Sequence, residues 1–149
     1  MSPAGFPRAE ALRGYTAGII DGEGSIMINR SYGPTYKRGF SYRLEVTVTN
    51  TNEWLVNWLK MNYGGSIHLR KSRKPQEKDC YAWSLWSRAA RRFLEFILPY
   101  LILKKAQAEI AIQFQGNKPP PGKSLSEEQM AVEDVARMTM QALNKKGVH

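Results

Sequence analysis

Residues 12–28 read Leu-Arg-Gly-Tyr-Thr-Ala-Gly-Ile-Ile-Asp-Gly-Glu-Gly-Ser-Ile-Met-Ile. In the first half, Gly14, Ala17, Gly18 and Asp21 recur at i, i+3, i+4 and i+7, which puts them on one stripe of a helix. Three of these four carry almost no side chain. Such a stripe cannot fill a core, but it lets a second helix backbone come close and exclude water. At its end stands Asp21-Gly22-Glu23-Gly24, two carboxylates alternating with two glycines. A helix C-terminus disfavours negative charge, so something positive should compensate there. A hard divalent cation held by carboxylate and backbone oxygens meets that need, and the strand starting at Ser25 then leads away from a metal site.

Outward from this stretch the chain alternates periods. Pro7 suits the start of the helix, and Leu12, Tyr15 and Ile19 give it an ordinary apolar face that needs a sheet to cover. Residues 25–31 alternate, with Ile26 and Ile28 on one side and Ser25, Met27, Asn29 and Ser31 on the other. After the turn-rich stretch 32–39, Tyr42, Leu44, Val46 and Val48 form an apolar face and Ser41, Arg43, Glu45 and Thr47 the opposite one, so the two strands read as a hairpin. A helix over 52–61 follows, capped by Thr51 or Asn52, packed through Leu55, Trp58 and Leu59, and stopped at Gly64-Gly65. A third strand from Ser66 sends Ile67 and Leu69 to the core and His68, Arg70 and Ser72 away. A fourth, 80–86, turns Tyr81, Trp83 and Leu85 inward and Cys80, Ala82 and Ser84 outward. Helices over 89–98 and 104–115 follow, then a Pro-rich loop at 116–124 and a last helix to Leu143 with Ser126 and Gln129 as a capping box. The expectation is one α+β domain over 1–149, ordered α-β-β-α-β-β-α with a further C-terminal helix, in which helices cover one face of a four-stranded antiparallel sheet.

The 149 residues carry 22 Lys+Arg against 13 Asp+Glu, a formal charge of +9, which suits a polyanionic partner better than an acidic small molecule. A single cysteine, Cys80, excludes an internal disulfide framework, and with His68 and His149 as the histidines a zinc site lacks ligands. Residues 1–7 hold no apolar signal-peptide core and no run is long enough to span a bilayer, so an intracellular protein with no membrane partner is expected. The uncovered sheet face is more specific than the charge. Asn29, Ser31, Ser41, Arg43, Glu45, Thr47, His68, Arg70 and Ser72 are residue types that read base edges in a DNA major groove, Arg taking guanine, Asn adenine and Glu cytosine. Lys37, Arg38, Lys71, Arg73, Lys74 and Lys78 in the two hairpin loops are placed to hold phosphates.

The stretch 16–24, Thr-Ala-Gly-Ile-Ile-Asp-Gly-Glu-Gly, resembles the motif of the LAGLIDADG homing endonucleases in their single-motif form. The resemblance covers most of residues 12–115 and implies that family's saddle-shaped sheet. In the family two motif helices pack across a seam, which here would be built from Gly14, Ala17, Gly18 and Asp21. The last acidic residue of each motif and a neighbouring backbone carbonyl bind the metal ions that cut DNA, and the matching positions are Glu23 and Gly22. Thr16 stands where the family usually has Leu, and Glu23 where it more often has Asp. The stretch 99–108 is similar to the segment that delivers a catalytic lysine, with Lys104 at the matching position and Lys105 beside it.

One acidic helix end per chain against two strands to cut implies a homodimer. The resemblance then implies intron homing: metal-dependent hydrolysis of both strands of a long, near-palindromic site, leaving 3′ overhangs. Magnesium is the expected cofactor, with manganese or calcium able to occupy the same site. The alternative is a non-cutting protein of the same fold, an intron RNA maturase or a transcriptional regulator. Glu23, which retains a metal-capable carboxylate, favours the enzyme.

Overall fold

The computed structural model describes residues 8–146. Helix α1 (Arg8–Glu23) runs straight into strand β1 (Gly24–Tyr32), and Pro7, expected at the helix start, lies outside the described residues. The joint requires glycine, because a Cβ on Gly24 would stand 2.9 Å from both the Cα and the carbonyl oxygen of Ile20. Then come β2 (Phe40–Asn50), α2 (Glu53–Tyr63), β3 (Ser66–Arg70), β4 (Cys80–Trp86), α3 (Ser87–Ile97), a 3-10 turn at Leu98–Tyr100, α4 (Lys105–Gly116) and α5 (Glu127–Lys146). The expected order is present, and all four strands pair antiparallel in the order β1-β2-β4-β3.

Register follows from burial. Ile26 pairs with Val46, Ile28 with Leu44, Val46 with Leu85 and Val48 with Trp83, and each of these side chains is buried under the helices. Each fully buried residue of this size stabilises the fold by about 1.5–3 kcal/mol, and a slip of one residue would turn the whole row to solvent. Trp83 is fully buried, and its Nε1–H donates to the Gly64 carbonyl at 2.7 Å, so no polar orphan is left. Leu69 departs from expectation and is exposed: β3 is an edge strand whose burial falls off towards Arg70. Asn52 caps α2 by accepting the Trp54 N–H, and Ser126 and Gln129 form a reciprocal capping box.

Helix α5 packs against β1, one of the two edge strands of the sheet. Asn144 Nδ2 donates to the carbonyl of Ile26 on β1 at 3.0 Å, and Asp134 accepts from the Tyr42 hydroxyl at 2.7 Å and pairs with Arg38 at 3.1 Å. The Tyr42 hydrogen bond, with Arg38 beside it, holds the Asp134 carboxyl below its ordinary value. A group depressed on folding contributes stability above its unfolded pKa, about 4, and loses that contribution as the pH falls through the folded value. Asp134→Asn should therefore show a smaller loss of stability than wild type as the pH falls below about 4. Superimposable acid limbs in urea unfolding would contradict this.

Candidate active site and nucleic-acid face

Asp21, in the last turn of α1, reaches across to the segment before α4. Its carboxylate accepts the backbone N–H groups of Ile102 (2.8 Å), Leu103 (3.1 Å) and Lys104 (3.0 Å). A carboxylate placed there satisfies free amides and sits favourably at the start of α4. The end of α1 and the start of α4 are thereby locked together, and the Lys104 ammonium donates to the Asp21 carbonyl at 2.7 Å. Lys104 is half-buried in this contact while Lys105 is exposed, which separates the two neighbours. Asp21→Ala should cost about 2 kcal/mol, since three backbone donors lose their acceptor. A urea midpoint within error of wild type would refute that role.

Glu23, two residues further on, is exposed and forms no ion pair among the described residues. Together with the Gly22 carbonyl it offers hard oxygen donors at the surface, the chemistry a magnesium-like ion prefers. Among the described residues no group of three or more His, Cys, Asp or Glu side chains could hold a metal.

The open stripe on α1 differs from the expected one. Ala17 is fully buried within the protomer, as are Thr16 and Ile20, and Asp21 is committed to α4. The stripe left to solvent is Tyr15, Gly18 and Gly22, flanked by half-exposed Gly14; a Cβ on Gly18 or Gly22 would meet nothing within 4 Å. Thr16 has its own explanation: its Oγ1 lies 2.6 Å from the Tyr63 hydroxyl, a partner that a leucine would not offer. Burial holds the Tyr63 phenol above its ordinary value, against the hydrogen bond to Thr16. Ile102 and Leu103, beside the Asp21 lock, form an adjacent apolar pair that is 82% and 72% exposed. Sequence reading missed them because they sit in an irregular segment with no period.

The sheet's outer face gathers most of the predicted readers. Register sets Asn29 opposite Arg43, Ser31 opposite Ser41, Met27 opposite Glu45, His68 opposite Ala82 and Arg70 opposite Cys80. Glu45 accepts from Asn29 Nδ2 at 2.8 Å and from the Thr47 hydroxyl at 3.1 Å, so Asn29 keeps its Oδ1 and a second N–H free, the pattern that matches adenine. Thr47 is nearly buried against the Ser84 hydroxyl and supports the face rather than presenting itself. The Arg43 guanidinium lies 5.2 Å from the ring centre of Trp86, an outward residue legible only from its shared parity with Ser84. Ser72 is not on β3. It lies in the loop, its N–H bound to Asp79 and its hydroxyl to the Lys74 carbonyl. Arg38 is half-buried in its pair with Asp134, whereas Lys37, Lys71, Arg73, Lys74 and Lys78 are exposed.

These features are a sheet with one bare polar face and a leading helix whose carboxylate end is locked to the lysine that precedes α4. The model of the LAGLIDADG endonuclease family matches residues 16–112. The chain belongs to the LAGLIDADG endonuclease family. Among solved structures it is similar to the homing endonuclease I-CvuI in complex with its target in the presence of calcium, with 21% identity and a TM-score of 0.71 over 91% of this chain and 83% of that one. It is also similar to the archaeal intron-encoded homing endonuclease I-Vdi141I complexed with DNA, with 18% identity and a TM-score of 0.73 over 90% and 84%. With I-SmaMI, bound to an uncleaved DNA target, the identity is 21% and the TM-score 0.61, over 87% of this chain but 45% of that one. No curated protein sequence matches the chain significantly.

Proposed function

We propose that two copies of this chain form a homing endonuclease that hydrolyses both strands of a long, near-palindromic DNA site. The observation that carries this reading is the Asp21–Lys104 lock, which fixes an ammonium on the last turn of α1, two residues before Glu23, at the end of an open stripe of small residues. Two stripes facing each other across a two-fold axis bring both Glu23 carboxylates together and cover Ile102 and Leu103. I-SmaMI, of whose chain this one covers 45%, has the length to hold a second such unit. The DNA in the I-CvuI and I-Vdi141I structures supports a duplex substrate here.

Glu23 and the Gly22 carbonyl would hold a divalent cation, with magnesium the natural choice for hard oxygen donors. Bound there, the ion supplies Lewis-acid stabilisation of charge at phosphorus and a water more easily deprotonated. Lys104, its ammonium fixed by the Asp21 carbonyl, adds positive charge beside the scissile phosphate without reorganising during the reaction. Asn29 and Arg43, adjacent across the hairpin, read neighbouring adenine and guanine in each half-site. By family precedent the cut leaves 3′ overhangs.

A randomised duplex library treated with the protein and magnesium tests this, with EDTA in a parallel reaction. Cutting at a two-fold symmetric sequence, abolished by EDTA, is expected. Enrichment of particular duplexes without any cutting would overturn the nuclease reading in favour of a binding protein, with intron RNA the next ligand to offer.

A further inference from the structure

Among the described residues no strand pairs with the first half of β2 on its second side, because β4 ends at Trp86 opposite Glu45. Against this free edge lies a cavity of about 720 Å³. Its walls are Arg43 on β2, Arg88, Arg91 and Arg92 on α3, and the segment from Lys118 to Pro121. The α3 arginines stand at i, i+3 and i+4 and share one side of the helix, opposite the buried Ala90, Phe93, Leu94 and Ile97. The acidic counterweight in the lining is Glu95, 3.6 Å from Arg91. Arg88 and Arg92 are exposed, and no ion pair among the described residues neutralises either.

Lys118 is already committed. Its ammonium donates to the Tyr42 carbonyl at 2.8 Å and pairs with the buried Glu133 at 3.1 Å, which pins the run of prolines after it as a stiff wall. The cleft is therefore preformed, and its like charges repel one another until an anion enters. Guanidinium groups favour the forked geometry of phosphate oxygens.

We propose that this cleft grips the phosphodiester backbone of duplex DNA just outside the base pairs read by the sheet. The inference rests on the endonuclease reading. Ser31, Ser41 and Arg43 line the cleft and also belong to the outer face, so a duplex seated on that face carries a strand past the cleft mouth.

The test is the double substitution Arg88→Gln, Arg92→Gln in the full chain, with folding checked by circular dichroism. On the selected target, the slope of log affinity against log salt should become shallower by about 1–2, and affinity near physiological salt should weaken by about tenfold. Ethylation interference should disappear at one or two phosphates flanking the base-read segment of each half-site, while the selected sequence stays unchanged. A folded double variant with the wild-type salt slope and interference pattern overturns the clamp while leaving the nuclease reading intact. A wild-type chain that binds no duplex overturns both readings together.

Discussion

Glu23→Gln is expected to lower magnesium-dependent cleavage by at least about a thousandfold while leaving affinity for the target duplex within about threefold. The side chain is exposed and forms no ion pair among the described residues, so its replacement takes nothing from the fold. An amide of the same shape keeps an oxygen but not the charge that a hard cation requires. Asp21 lies two residues away and behaves in the opposite manner: it holds three backbone amides, and its loss falls on stability and on the placement of Lys104. Single-turnover cleavage with magnesium, set beside target binding with calcium, separates the two carboxylates. Cutting retained by the Glu23 variant would remove that residue from the metal site.

The joint at Gly24 was legible because the period changes there from 3.6 to 2, and strand faces were legible because alternation permits one buried register. The roles of Ala17 and Asp21 were not. A stripe of small residues records that something approaches closely without saying what, and at Ala17 the neighbour is the protomer's own core. Asp21 finds its partners 81 to 83 positions along the chain, in a segment without any period of its own. Ser72 failed for a local reason, because Asp79 and Lys74 offer its backbone and hydroxyl a turn in place of the strand ladder. The arginines of α3 carry no motif that marks them in the sequence; what gives them meaning is the free edge of β2 beside them, which depends on where β4 stops.

Gly18→Leu is expected to leave a folded chain that no longer dimerises and no longer cuts both strands. In the protomer a Cβ at Gly18 meets nothing within 4 Å, so the side chain has room, and leucine favours the helix over glycine by about 0.5–1 kcal/mol. Unfolding of the isolated chain should therefore shift little or upward. Across a two-fold seam the same leucine enters twice, where two backbones meet, and overpacking costs about 1–3 kcal/mol at each insertion. Light scattering should then give the mass of one chain, 17.0 kDa, where wild type gives twice that. Ala17→Leu supplies the contrast. Ala17 is fully buried inside the protomer, so enlarging it should destabilise the chain itself by about 1–3 kcal/mol. A Gly18 variant that stays dimeric and cuts at the wild-type rate would place the seam elsewhere, and one that unfolds would mean the stripe is packed against its own chain.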